Sequence, residues 1–289
     1  NNCGVFAGAT YDWQILNGEA VVASGTFETS AGDPIENGDM SQWCETKEML
    51  PLFGSKKITV WYPGSSWSDS TPGFWDSSNN AGNKTACTQD KTKNASCAWL
   101  QASGVSLVGA LASGSLFTGT FTYANMNGTA SFGQKYKYTA RPTALRLKYH
   151  ATLGTVNYNK HNGPLEKDKD IMDQCSFTVC IVDWDTRHDV QSGTSAPKGI
   201  WDPITMGELP VDKQNGIIGY GVKYSSENTP GTDLIPLEIP IKYYQQTNAA
   251  PDGENKFTII ISVSTSRYGD YLNGCDKNKI YVDDFEWVY

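Results

Sequence analysis

Apolar and polar positions alternate over short stretches of this chain, and runs rich in Gly, Ser, Asn and Thr separate those stretches. Over 145–151, Leu145, Leu147 and Tyr149 interleave with Arg146, Lys148 and His150, the period-two pattern of a strand with one face buried. Residues 257–265 are β-branched and nearly continuously apolar, which predicts a central strand. Further strands are predicted at 58–62, 98–102, 106–108, 116–123, 176–183, 217–222 and 280–289. The stretch 234–243 carries Pro236 and Pro240; proline has no N–H for a ladder, so this segment belongs at a sheet edge or is broken. One brief helix is predicted at 206–213, with Pro210 inside it. The pattern is that of an all-β chain.

The first 33 residues form a unit of their own. Strand-like runs at 11–16 and 20–24 flank Asn17-Gly18, a hairpin signal. One hairpin is not stable alone, so residues 1–33 are a short N-terminal hairpin extension packed on the main body, or the remnant of a preceding domain. Ala31-Gly32-Asp33-Pro34 reads as a linker into a main body at 34–289. Within that body the segment 62–93 is long for a loop, and it holds Trp67, Phe74 and Trp75, which argues for a functional loop.

Composition narrows the function classes. The 289 residues are 12% aromatic and only 19% charged, with net charge −8 and a pI of about 4.9. Nucleic acid binding needs a cationic patch that releases counterions, and the basic clusters here are short and isolated, so no nucleic acid partner is expected. No apolar run approaches the ~20 residues of a spanning helix. Residues 1–10 do not resemble an export signal. Of the seven cysteines, Cys87 and Cys97 flank a polar loop and could bridge across it, while Cys175 and Cys180 point to opposite faces of one strand. No cysteine or histidine spacing resembles a zinc site.

Candidate chemistry comes from aromatic rings beside planar polar groups. A pyranose packs its C–H face on an indole or phenol, and its hydroxyls pair with Asn, Asp or Arg. Trp61, Trp67 and Trp75 lie near Asp76, Asn79 and Asn80; Arg267, Tyr268 and Asp270 form a second mixed cluster; Trp184-Asp185 and Trp201-Asp202 are further candidates. Each ring is weighed against a place in the core, the commoner fate of Trp in a sandwich. Glycoside hydrolysis needs two carboxyls across a pocket. No adjacent pair stands out, which leaves dispersed acids such as Asp76, Asp185 or Asp270. No catalytic cofactor is expected; a structural calcium would draw on Asp39 with Asp283 or Asp284, neighbours if the terminal strands pair.

Several segments in order resemble one family. They are Asn37-Gly38-Asp39-Met40-Ser41-Gln42-Trp43, Trp61-Tyr62-Pro63, Phe74-Trp75-Asp76-Ser77-Ser78-Asn79, Leu116-Phe117-Thr118-Gly119 and Ala140-Arg141-Pro142. The tail adds Thr265-Ser266-Arg267-Tyr268-Gly269-Asp270-Tyr271-Leu272-Asn273-Gly274 and Ile280-Tyr281-Val282-Asp283-Asp284-Phe285. From about Glu36 onward the chain resembles the putative carbohydrate metabolism domain family. The resemblance implies a β-sandwich jelly roll, often preceded by a small immunoglobulin-like domain, for which the segment before Glu36 is too short. It also implies a secreted or outer-surface lipoprotein of polysaccharide-degrading gut bacteria, with any lipid anchor upstream of this chain. The leading expectation is a non-catalytic protein that binds a polysaccharide or oligosaccharide. The alternatives are a glycoside hydrolase with dispersed carboxylates and a structural surface subunit whose aromatics are all core.

Overall fold

The computed structural model describes residues 8–49, 56–68, 71–81, 86–93, 95–124, 127–136, 141–167, 170–193, 197–244 and 257–289. The chain opens with the hairpin β1 (Thr10–Asn17) and β2 (Ala20–Glu28), then β3 (Trp43–Met49), β4 (Ile58–Pro63) and β5 (Trp75–Ser77). Next come β6 (Cys87–Lys93), β7 (Ala95–Gln101), β8 (Ser103–Val105), β9 (Ala110–Ala112), β10 (Ser115–Ala124), β11 (Asn127–Phe132) and β12 (Gln134–Tyr136). The C-terminal half holds β13 (Ala144–Thr152), β14 (Cys175–Val182), β15 (His188–Gly193), helix α1 (Val211–Asn215), β16 (Ile217–Ser225), β17 (Ile235–Pro240), β18 (Lys242–Tyr243), β19 (Phe257–Ser264) and β20 (Lys279–Val288).

These strands build the expected all-β sandwich. The larger sheet runs β15-β11-β10-β19-β14-β16-β18, with β12 also on β19 and β5 on β10; the smaller runs β17-β13-β20-β7-β6. Between them lies the main core. Phe177, Val179 and Ile181 of β14 and Ile259, Ile261 and Val263 of β19 face Leu145, Leu147 and Tyr149 of β13 and Ile280 and Val282 of β20. As the apolar run suggested, β19 is central, between β10 and β14. Cys175 and Cys180 do face opposite ways, the first into the main core and the second into a smaller cluster under α1.

Three sequence expectations change. The stretch 106–108 is a tight turn between β8 and β9, closed by the Val108 N–H to Val105 O (3.2 Å) and by Gly109 with φ +64°. The proline-marked segment 234–243 is broken and lies at sheet edges, as its prolines predicted: β17 is the edge of the smaller sheet, and the chain then crosses at Ile241 so that β18 becomes the edge of the larger. The helix starts only after Pro210, because proline cannot donate from a helix interior. Cys87 and Cys97 form no bridge: β6 pairs Cys87 with Leu100 and Cys97 with Asp90, so the two thiols are out of register and both are free. Cys3 lies outside the described residues.

Candidate functional site

The outward face of the larger sheet changes character along its strands, and that change makes a cavity. Near α1 this face is apolar: Cys180, Val182, Ile217, Tyr220 and Ile260 are covered by Trp184 and Leu209. Further along the same strands it turns small and hydroxylic. The register places Ser115, Ser264, Ser176 and Tyr224 side by side across β10, β19, β14 and β16, with Phe117, Ser262 and Thr178 in the next row. Short side chains leave room above them, and a cavity of about 460 Å³ lies there.

Three loops wall this cavity. The β8–β9 hairpin contributes Val108 from its turn and Leu111 from β9, the segment after β15 contributes Trp201, Asp202 and Glu208, and the turn after β19 contributes Arg267, Tyr268, Asp270 and Tyr271. The Arg267 guanidinium lies 3.8 Å from the Tyr224 ring centroid and 5.1 Å from that of Tyr268. Arg267 Nη1 donates to Gln174 Oε1 (3.1 Å), and its Nη2 is 3.8 Å from Asp202 Oδ2. The Tyr224 hydroxyl donates to the same Asp202 oxygen at 3.1 Å. Burial, reinforced by the Asp202 charge, holds the Tyr224 phenol above its ordinary range. Asp270 is half-buried in the wall, and desolvation pushes its carboxyl up to about 6. The Tyr271 phenol is raised first by burial and then by the nearby charges of Glu208 and Asp270.

A buried carboxylate holds the Arg267 turn in place. Asp173 accepts hydrogen bonds from Ser266 Oγ (2.8 Å), Cys275 N–H (2.7 Å), Asn278 Nδ2 (2.8 Å) and Gln174 N–H (2.8 Å). Burial nevertheless raises its pKa, the hydrogen bonds opposing that rise. Gly274 has φ +144°, and a Cβ there would collide with Ser266 Oγ and Asp173 Oδ2, so only glycine lets the turn close on the carboxylate.

The sequence-marked residues therefore divide. Arg267, Tyr268 and Asp270 come together on the cavity wall, joined by Asp202. Trp75 and its neighbours do not, which corrects the reading of 62–93 as a binding loop. β5 is hydrogen-bonded to β10 as part of the sheet, and Trp75 is fully buried against Phe285 (5.1 Å), its Nε1 donating to Glu36 O at 2.7 Å. Asp76 is buried and accepts from the backbone N–H groups of Ser77 (2.7 Å) and Phe121 (2.8 Å). Asn79 is buried too, donating to Trp61 O and Cys87 O and accepting from Cys87 N–H. The side chain of Asn80 lies outside the described residues. Trp67 stacks on Tyr62 at 3.9 Å in a small cluster of its own, and Trp61 on β4 is 39% exposed but does not line the cavity. Trp184 is buried as the lid of the apolar end of the sheet face, donating to Lys213 O at 2.9 Å.

Tyr224, Glu208 and the Ser176, Thr178 and Ser262 floor escaped the sequence reading. Their signal is the alternation Ser-Phe-Thr-Val in β14 and Ile-Ser-Val-Ser in β19, hydroxyls on one face and core on the other. A second hollow, lined by Lys135, Asp185, Arg187 and Asp189, is polar and without aromatic rings. There Lys135 donates to Trp184 O, Arg187 to Gly133 O and Gln134 Oε1, and Ser131 Oγ to Asp189. At the chain's last strand, burial and then the charges of Asp284 and Asp39 raise Asp283 to about 6. Asp284 is instead paired with Lys148 Nζ at 2.7 Å, and among the described residues no group of three or more His, Cys, Asp or Glu gathers that could hold a metal ion.

Comparison with known proteins adds family and fold. The sequence profile of the putative carbohydrate metabolism domain matches residues 27–288. No curated protein matches the chain. A crystal structure of a putative glycoside hydrolase from Bacteroides vulgatus has a similar fold, with TM-score 0.55 and 15% identity over 86% of this chain and 96% of that one. Another, also of a putative glycoside hydrolase, from Bacteroides thetaiotaomicron, gives TM-score 0.50 and 16% identity over 93% of this chain and 75% of that one.

Proposed function

The chain belongs to the putative carbohydrate metabolism domain family, and from that premise we propose that it binds a glycan in the cavity on the outward face of its larger sheet. The observation that carries this reading is the pairing of a hydroxyl-lined floor (Ser176, Thr178, Ser262) with phenol walls (Tyr224, Tyr268, Tyr271) and planar polar groups (Arg267, Asp202) in one hollow. Aromatic faces take the C–H side of a pyranose, and polar groups around them fix its hydroxyls. A volume of about 460 Å³ accommodates one to two sugar rings by the usual size of small-molecule sites. Calorimetry across a panel of plant and host oligosaccharides tests it. At least one should bind, and Tyr268→Ala should weaken that binding more than ten-fold while Trp61→Ala leaves it unchanged. Silence across the panel, or binding indifferent to Tyr268→Ala, would overturn the proposal.

One observation favours a second reading, hydrolysis of the bound glycan. Asp202, Glu208 and Asp270 all line the cavity, and a carboxyl raised to about 6 is suited to protonating a leaving oxygen near neutral pH. Release of reducing ends that Asp270→Asn abolishes while binding persists would establish it. No release from any bound oligosaccharide would leave binding as the whole function.

A further inference from the structure

Taking the cavity as the glycan site, on which this step rests, we infer that it accepts neutral glycans and excludes acidic ones such as uronic acids and sulfated sugars. The reason is the state of its charged groups. Among the described residues the lining carries three carboxylates, Asp202, Glu208 and Asp270, and one cation, Arg267. That cation is already engaged: it lies 3.8 Å from the Tyr224 ring centroid and 5.1 Å from that of Tyr268, donates to Gln174 Oε1 and is ion-paired with Asp202 across 3.8 Å. Tyr224 donates its hydroxyl to Asp202 as well, at 3.1 Å. A receptor for a sugar carboxylate needs a cation whose charge is not already paired, and the one guanidinium on this wall already faces a carboxylate of the protein.

What the wall does offer is acceptors. Asp270 and Glu208 make no side-chain hydrogen bond to another described residue, and on the floor Ser176, Thr178 and Ser262 have hydroxyls without a described side-chain partner. Carboxylates and hydroxyls lining one cavity accept from the hydroxyl donors of a neutral sugar. An acidic sugar would bring another negative charge into a concave site whose field is already negative, in a chain of net charge −8. Lys135 and Arg187 line not this cavity but the second hollow, where they donate to Trp184 O, Gly133 O and Gln134 Oε1.

Matched oligosaccharides that differ only at C6 isolate the effect: gluco- against glucurono-, galacto- against galacturono-, and manno- against mannurono-oligosaccharides. Each pair is titrated calorimetrically into the intact protein, the Glu208→Gln/Asp270→Asn double variant and Tyr268→Ala. The expected result is that the neutral member of at least one pair binds at least ten-fold tighter than its uronate. That gap should shrink at least ten-fold in the double variant. Should the double variant not fold, the same narrowing is read in the intact protein when salt is raised to about 0.5 M, where screening shortens the reach of exposed charges. A uronate that binds as tightly as its neutral partner, and loses that binding in Tyr268→Ala, overturns the neutral preference and leaves the glycan cavity standing. If no member of any pair binds, the cavity reading fails, and the preference with it.

Discussion

Asp173 is 1% exposed, and its carboxylate gathers two backbone N–H groups with Ser266 Oγ and Asn278 Nδ2. Removing this buried acceptor leaves donors such as the Cys275 and Gln174 N–H groups unsatisfied, at about 1–3 kcal/mol apiece. Asp173→Ala is therefore expected to cost at least about 3 kcal/mol in denaturant unfolding and to loosen the Arg267 turn, weakening glycan binding in the fraction that still folds. Asp283 tells the opposite story. It is 2% exposed and its pKa is raised to about 6 by burial and the charges of Asp284 and Asp39. A carboxyl raised on folding stabilises the native state below its unfolded pKa near 4 and loses that contribution as pH rises through about 6. Asp283→Asn keeps an oxygen for the Asp284 N–H and never ionises. Its melting temperature should exceed that of the unmodified protein at pH 8, and the difference should shrink toward zero at pH 4.5. Single residues are also where the sequence was least legible. Trp75, Asp76 and Asn79 read as a mixed polar–aromatic site, yet the two polar side chains are buried because they satisfy backbone groups of β4, β6 and β10. Sequence shows that a side chain is polar, not which distant N–H or C=O it serves.

At the scale of elements, β14 and β19 each present two different surfaces. Val263 points into the core at 1% exposure, while Ser262, one residue earlier, points up into the cavity. A Leu at position 262 fills open space, whereas a Ser at position 263 places an unpaired hydroxyl and a void in the main core. Ser262→Leu should shift the melting temperature by no more than about 2 °C and abolish glycan binding, and Val263→Ser should cost about 2–4 kcal/mol, read from denaturant unfolding. Strands with an apolar rhythm, such as β13, β14, β16 and β19, were legible for the same reason that they are buried. Polar strands such as β6 (CTQDKTK) and β11 (NGTASF) have too few apolar residues to set such a rhythm, and their ladders do much to place them. The 106–108 misreading has the same origin: Val and Leu beside Ser looked like a strand, and the positive φ of Gly109 made it a turn.

The molecule as a whole distributes its chemistry unevenly between its two outer faces. The smaller sheet's outward side carries ion pairs, Arg146 with Glu238 (3.0 Å) and Glu286 (3.1 Å) and Lys148 with Asp284 (2.7 Å), all on exposed side chains. Exposed pairs of this kind contribute little to stability and cover the surface with charge, so the larger sheet's face is left as the one with a hollow. Between the faces, a continuous apolar core holds the sheets together, with no disulfide among the described residues. Cys44, Cys87, Cys97, Cys175, Cys180 and Cys275 are all free, and all but Cys44 are buried. Burial raises each thiol's pKa, to about 12 for Cys97 and Cys175, so thiolate, the reactive form, is scarce at neutral pH. Two consequences follow from a sandwich stabilised by burial alone. Reductant should not move the melting temperature by more than about 1 °C, because there is no disulfide among the described residues to remove. In peptide-mapped alkylation at pH 7.5, Cys87, Cys97, Cys175, Cys180 and Cys275 should stay unlabelled in the native protein and react together only when denaturant exceeds the unfolding midpoint. Labelling of Cys180 alone below that midpoint would show that the Trp184–Leu209 cover opens separately from the main core, since that thiol belongs to their cluster and not to the core between the sheets.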